Sequence, residues 1–172
     1  MIDGRLTRLR PVVASDEQRL REILTTREVQ RWWGDPERAI ADAIEPPEPE
    51  AAAFAIEERA SAQVVGLIQW WEETEPDFRH AGVDIAVDPA CHGRGIGSDA
   101  IAALASHLFE ARGHHRLTID PAAANEPAIR VYRKLGFRDV GILRRYWRDP
   151  DGEWQDGLLM DLLAGELIVP AA

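Results

Sequence analysis

The chain has 172 residues, 45% of them apolar, with 20 basic and 30 acidic side chains and a formal net charge of −10. That length suits one domain with a real core, and the acidity argues against nucleic acid as a main partner, since phosphate binding needs a basic footprint. A single cysteine, Cys91, excludes an internal disulfide framework and a cysteine-based zinc site. No apolar run reaches about 18 residues, so no membrane span is expected. The opening MIDGRLTRLRP has no apolar signal region. The expectation is one cytoplasmic domain over residues 1–172.

Residues 5–10 alternate in polarity and read as a first strand ending at Pro11. Ser15 or Asp16 is placed to cap a helix through DEQRLREILTT. A second helical segment, REVQRWWG, ends at Gly34, and ADAIEPP reads as a short helix stopped by Pro46. The stretch 45–53, EPPEPEAAA, is expected to be a mobile connection inside the domain. Residues 52–58, 63–73 and 81–88 read as three strands, the first two joined by a polar turn near Ala60–Ala62. A helix follows, with Ala100, Ile101, Leu104, Ala105 and Leu108 at helical spacing and Gly113 as its stop. HRLTID is a strand ending at Asp120–Pro121. NEPAIRVYRKLGF is a helix capped by Asn125 and stopped by Gly136, with Ala128, Ile129, Tyr132 and Leu135 on one stripe. Strands at about 138–148 and 157–163 flank the hairpin turn DPDG. The fold class is α/β: one mixed central sheet of about seven strands with helices around it.

The most specific stretch is VDPACHGRGIGSDAIAAL, residues 87–104. Gly93, Gly95 and Gly97 alternate just before a helix, where glycine permits positive φ and close backbone approach. Unpaired N–H groups and the positive end of the helix dipole then make a nest for phosphate, with Arg94 available for a direct charge contact. An ordinary tight strand-to-helix turn uses glycine equally well. The spacing excludes a nucleotide P-loop, which needs a lysine after the last glycine. It also departs from the dinucleotide fingerprint, because the third glycine is misplaced.

CHGRGIGSDAIAAL followed by NEPAIRVYRKLGF resembles the GNAT superfamily of N-acetyltransferases. Their first signature is Q/R-x-x-G-x-G/A; here His92 stands where Gln or Arg is usual. Their second is an Asn, then a helix with Ala and Tyr, ending in Gly-Phe, matched by Asn125, Ala128, Tyr132, Gly136 and Phe137. The resemblance covers essentially the whole chain. It implies a mostly antiparallel GNAT sheet and acetyl-CoA as cofactor. The pyrophosphate would be held by His92, Gly93, Arg94, Gly95, Ile96, Gly97 and Ser98. The pantetheine arm would run beside Ile85, Ala86 and Val87, with Asn125, Ala128 and Tyr132 also facing it. Members often pair as homodimers through sheet edges. VQRWWGDPE, WWEETEPDFRHAGVDIAV and TIDPAAANEPAIRVYRKLGF further resemble aminoglycoside 6′-N-acetyltransferases. The hairpin RRYWRDPDGEWQDGLLMDLL is more like ribosomal-protein N-terminal acetyltransferases. Siderophore-lysine acetyltransferases share parts of the pattern.

Acetyl transfer to an amine needs a held donor, a neutral amine, a home for the developing oxyanion and a proton for the departing thiolate. Asp84 interrupts an apolar strand, and its role by resemblance is to accept the ammonium proton; the plainer alternative is a salt bridge. Tyr132, a phenol with an ordinary pKa near ~10, is the candidate acid for the thiolate, or else a core aromatic. Asp120 is placed for a second ammonium or hydroxyl of an aminosugar, or simply forms an Asp-Pro turn. Trp33 and Trp71 are candidate flat walls for a sugar or cation, and Asp35, Glu72 and Glu73 candidate rim acids. In a strand pair one ring must face the core, so one of Trp70 and Trp71 is core.

No motif gives Cys91 an activating partner, and His107, His114 and His115 form no metal-ligand spacing; no metal is expected. The reading is acetyl transfer by direct attack, with a small-molecule amine as partner, foremost the 6′-amine of an aminoglycoside. In that group, resistance follows from removing a charge the drug needs to bind RNA. The rivals are another amine (a ribosomal-type protein N-terminus, a polyamine, a siderophore lysine) and a non-catalytic CoA sensor.

Overall fold

A computed structural model describes residues 1–45 and 50–169. The strands are β1 (Ile2–Asp3), β2 (Thr7–Pro11), β3 (Ala51–Glu58), β4 (Gln63–Glu73), β5 (His80–Val87), β6 (Arg116–Ile119), β7 (Arg138–Arg148) and β8 (Trp154–Leu163). The helices are α1 (Glu17–Leu24), α2 (Arg27–Gln30), α3 (Pro36–Ile44), α4 (Ile96–Glu110) and α5 (Glu126–Lys134). The expected mixed α/β architecture is present, with eight strands among the described residues because the first two residues after Met1 add a short strand beside β2. The stop assigned to Pro46 and part of the 45–53 connection lie outside the described residues.

The sheet runs β1-β2-β3-β4-β5-β6-β8-β7, and every neighbouring pair is antiparallel except β5–β6. Alternation along each strand sends apolar side chains to two cores. On one face α4 and α5 cover Ile68, Trp70, Val83, Leu117 and Met160. On the other, Leu20, Leu24, Val29, Trp33, Ile40 and Ala43 of the α1–α3 segment cover Ala55, Leu67 and Ala86.

One topological fact positions the site. The parallel pair β5–β6 registers only at Ala81↔Leu117 and Gly82↔Thr118. β5 continues to Val87 and stays paired with β4, whereas β6 ends at Ile119. From Val83 onward the edge of β5 that faces β6 is therefore free of ladder bonds, and a V-shaped split opens in the middle of the sheet.

Helix α5, beside the split, has both terminators that the sequence places there. Asn125 caps α5, its side-chain oxygen accepting from the Ala128 N–H at 3.4 Å. Gly136 follows at φ +101°, and a Cβ there would lie 2.3 Å from the Glu166 carbonyl oxygen. Both the left-handed backbone and the backbone contact exclude a side chain. Gly136→Ala is expected to destabilise the fold by about 3 kcal/mol. Urea denaturation measures this, and a loss under about 1 kcal/mol means that the Glu166 segment moves aside freely.

Candidate active site

The first wall of the split comes from β5. Asp84 sits opposite Gln69 across the β4–β5 ladder, half-buried, with Oδ1 accepting from the Ile85 N–H at 3.0 Å. Burial pushes its carboxyl up to about 7, and the neighbouring charge of Asp120 adds to the rise; the Ile85 N–H and the Gln69 side chain oppose it. A carboxylate poised near neutrality can both accept and release a proton at physiological pH. The same parity puts Gly82 and its ladder partner Trp71 on the face of Asp84. Trp71 is 40% exposed and its ring covers Gly82, where a Cβ would be 2.1 Å from the indole. Trp70, pointing the other way, is core.

The second wall is built from the end of β6, from α5 and from β7. Asp120 follows β6 directly. It accepts a hydrogen bond from the Tyr146 hydroxyl of β7. Tyr132 of α5 is 7% exposed and packs its ring on Phe137. Its phenol is pushed well above the ordinary value by burial first, then by the charges of Asp84 and Asp120. Asp84, Asp120, Tyr132 and Tyr146 thus form one electrostatic group astride the split.

The glycine-rich turn closes one end. Gly93 and Gly95 take φ of +75° and +80°, and Gly95 is the left-handed N-cap of α4, which has no side-chain cap. The Ile96, Gly97 and Ser98 N–H groups have no intrahelical acceptor. The Asp99 N–H is the first to be satisfied, by the Gly95 carbonyl. That row of free amides at a helix start fits a pyrophosphate. The turn is anchored from behind: Asp99 accepts from the Arg5, Leu6 and Thr7 N–H groups and from Thr7 Oγ1 at 2.8–3.0 Å. Nothing in the sequence pattern marks Asp99, because its partners lie more than ninety residues away.

Two side chains expected to face phosphate are otherwise engaged. Arg94 pairs with Glu58 and reaches Cys91 Sγ at 3.5 Å. His92 Nε2 lies 3.0 Å from the Val87 carbonyl oxygen, so that nitrogen carries the proton and ties the turn to the end of β5. Cys91 is buried, and burial pushes its thiol up, which keeps it a poor nucleophile.

The remaining sequence candidates do not converge on the split. Trp33 is 8% exposed and packs among Leu20, Leu24 and Ile40; its neighbour Trp32 is the one that reaches a surface groove. Asp35 caps α3 through the Glu37 N–H. Glu72 pairs with Arg79 and Arg112 beside the buried ring of His114, an ion network that closes the far end of β4. Glu73 Oε1 accepts from the Glu75 N–H in the following turn. Among the described residues no group of His, Cys, Asp and Glu is arranged to hold a metal, and no helix is long and apolar enough to cross a membrane.

A groove of about 790 Å³ lies between α2 and the β7–β8 hairpin. Arg27, Arg31 and Trp32 form one side, Trp147, Trp154 and Asp156 the other, and Ala122–Ala124 the floor. That floor continues from Asp120 and is stitched to β8 by the Ala122↔Gly157 bridge, so the groove leads to the split from the α1–α3 side. The stretches VQRWWGDPE, TIDPAAANEP and RRYWRDPDGEWQD carried the family resemblance, but nothing in them showed that they meet in one groove.

Residues 5–138 match the family model of the acetyltransferase (GNAT) domain. The chain belongs to the GNAT acetyltransferase family. It is 30% identical over 162 residues to the Klebsiella pneumoniae aminoglycoside N(6′)-acetyltransferase type 1, covering 84% of this chain and 78% of that protein. It spans 19% of a longer Mycobacterium leprae protein, to which it is 36% identical over 72 residues. Among solved structures it superposes on Mycobacterium smegmatis RimJ in complex with CoA-disulfide with a TM-score of 0.81 and 25% identity, over 99% of this chain and 90% of that one. As a GNAT domain it carries acetyl-CoA-dependent N-acetyltransferase chemistry. The free amides of the cradle and the open edge of β5 fit the pyrophosphate and the amide-bearing arm of that coenzyme.

If the cradle binds through its main chain, its glycines matter more than Arg94. A Cβ on Gly95 would meet only Leu6 Cδ1, at 3.5 Å, so Gly95→Ala acts through backbone strain of about 1–2 kcal/mol. The expected result is a roughly tenfold weaker Kd for CoA in calorimetry with a modest drop in Tm. Unchanged CoA affinity alongside the lower Tm rules the cradle out as the anion site.

Proposed function

We propose that this chain acetylates the 6′-amine of an aminoglycoside by direct attack in a ternary complex. The observation that carries this reading is the carboxylate pair, Asp84 and Asp120, on opposite walls of one split and close enough to interact through their charges. Two adjacent carboxylates in a partly dry site call for more than one cationic or hydroxyl group in the ligand. Trp71 beside Asp84 supplies an apolar, π-rich surface for a sugar ring. The aminoglycoside acetyltransferase relative, similar over most of the chain, supports the same choice.

Bound acetyl-CoA supplies an activated thioester. The cradle amides would hold its diphosphate, and the N–H groups on the split edge of β5 beyond Gly82, other than that of Ile85, which donates to Asp84 Oδ1, would be the available donors for the thioester carbonyl oxygen. Asp84, ionised above about pH 7, takes the proton from the substrate ammonium. Tyr132 stands ready to give its proton to the leaving sulfur. Cys91, buried and protonated, takes no part.

The test is thiol release with kanamycin as acceptor, paired with calorimetry for CoA and for the drug. Turnover with a KM that rises in Asp120→Asn supports the proposal. Tight binding of both ligands without thiol release points to a sensor. A second reading has its own support: the guanidinium groups of Arg27 and Arg31 on the groove wall disfavour a polycation there and suit a peptide with acidic or carbonyl groups. The likeness to RimJ agrees. A peptide with a free N-terminal alanine that is acetylated in preference to kanamycin decides for that reading.

A further inference from the structure

β7 does not run straight. Its register against β8 slips between Leu143 and Trp147, and inside that bulge Arg145 adopts φ +50°, a conformation L-residues rarely hold without external support. The support is present: the Arg145 N–H donates to Asp156 Oδ1 at 2.8 Å. The bulge turns the next residue, Tyr146, across β8 onto Gly157, where a Cβ would be 2.8 Å from Tyr146 Cδ1. Gly157 is also the residue bridged to Ala122, which fixes the segment that carries Asp120. From this seat the Tyr146 hydroxyl reaches Asp120 Oδ2.

Bulges re-aim side chains, and they gather beside active sites. Here a strained residue, its carboxylate clamp, a glycine seat and a phenol–carboxylate bond all serve one contact. Tyr146 is 47% exposed, so the bond does not fill the core; its evident effect is on Asp120. With Oδ2 engaged by the hydroxyl, Oδ1 of Asp120 is the more open of its two oxygens.

We infer that Tyr146 is a positioning residue for acceptor recognition: from the bulged β7 it holds Asp120 in the one orientation that presents a carboxylate oxygen to the amine substrate beside Asp84. This rests on the proposal that Asp84 and Asp120 form the amine site. The upward displacement of the Tyr146 phenol to about 12, caused first by the bond to Asp120, agrees with a hydroxyl that stays a donor throughout the working pH range.

The chain has only two tyrosines, Tyr132 and Tyr146, so a sample labelled at tyrosine Cζ gives two carbon signals, assigned with Tyr146→Phe. Asp120→Asn should move the Tyr146 signal; an unmoved signal overturns the inference whatever the acceptor is. In steady-state assays Tyr146→Phe should raise the KM for the acceptor about tenfold, with kcat and the KM for acetyl-CoA within about twofold. Gly157→Ala, which displaces the ring but keeps its hydroxyl, should do the same. A merely structural role would disturb the acetyl-CoA KM and the acceptor KM together, and an acceptor KM within about twofold of wild type overturns the inference. The acceptors are kanamycin, spermidine and an N-terminal alanine peptide. If wild type leaves kanamycin untouched and uses another of the three, the aminoglycoside reading fails while the Tyr146 comparison is decided on that other amine.

Discussion

Asp84→Asn is expected to lower kcat/KM by about 10²- to 10³-fold, the range for removing a positioned base, and at the same time to raise stability at alkaline pH. Both effects come from one cause. The fold holds the Asp84 carboxyl at about 7 against an ordinary 3.8, through burial and through Asp120. As the proposed base, Asp84 works only when ionised, so wild-type kcat/KM should climb through a limb near pH 7, and the Asn variant should lack that limb. The folded chain binds the Asp84 proton more tightly than the unfolded chain does. The resulting stabilisation is complete below about pH 4 and is lost as pH rises through 7. A shift of about three units has a ceiling near ~4 kcal/mol; partial contact with solvent reduces this to about 2 kcal/mol. Asn cannot ionise, so Tm of the variant should exceed wild type at pH 8 and converge with it near pH 4–5. Thermal melts across that range check the sign. A variant less stable than wild type at pH 8 sinks the claim that the site holds a charge against its own solvation.

The residues that proved legible share one property: local pattern decides their placement. Asp84 stood out because it breaks an apolar strand, and parity puts Trp70 and Trp71 on opposite faces, although only the fold shows that Trp70 is the core one. Gly95 and Gly136 were readable because each ends or begins a helix at positive φ. Trp32 and Trp33 were not, because α2 is four residues long and parity rules do not reach across it; packing against α1 and α3 buries Trp33 instead. The acids after Trp71 looked like a rim, yet Glu72 meets Arg79 and Arg112, seven and forty residues away. Tyr146 was hidden more deeply. A bulge changes which way every later side chain points, and the alternation RRYWR gives no sign of one. The groove has no local signature either, being assembled from α2, the 122–124 segment and a hairpin 120 residues downstream of α2.

Tyr132→Phe is expected to cut kcat by about 10²-fold while the KM for acetyl-CoA and the Kd for CoA stay within about twofold. The ring, which packs on Phe137, remains, so only the proton is removed. Taken alone, the phenol is a poor acid: burial, Asp84 and Asp120 all push it above its ordinary value. Of the two carboxylates, Asp84 is the proposed base, and it would be neutralised on accepting the proton of the amine. At that moment one of the causes that hold the Tyr132 proton disappears, and the phenol becomes a better donor just as the sulfur departs. The proposed base and acid are coupled through their own electrostatics, with no motion required. The labelled Tyr132 Cζ signal should therefore follow the titration of Asp84 near pH 7 in wild type and lose that dependence in Asp84→Asn. Because the phenol stays protonated while the chain is folded, no alkaline limb from Tyr132 is expected in wild-type kcat up to about pH 9. Loss of CoA affinity in Tyr132→Phe, with kcat preserved, would instead identify Tyr132 as a wall of the coenzyme channel, and a Tyr132 signal that ignores pH near 7 would sever the link to Asp84.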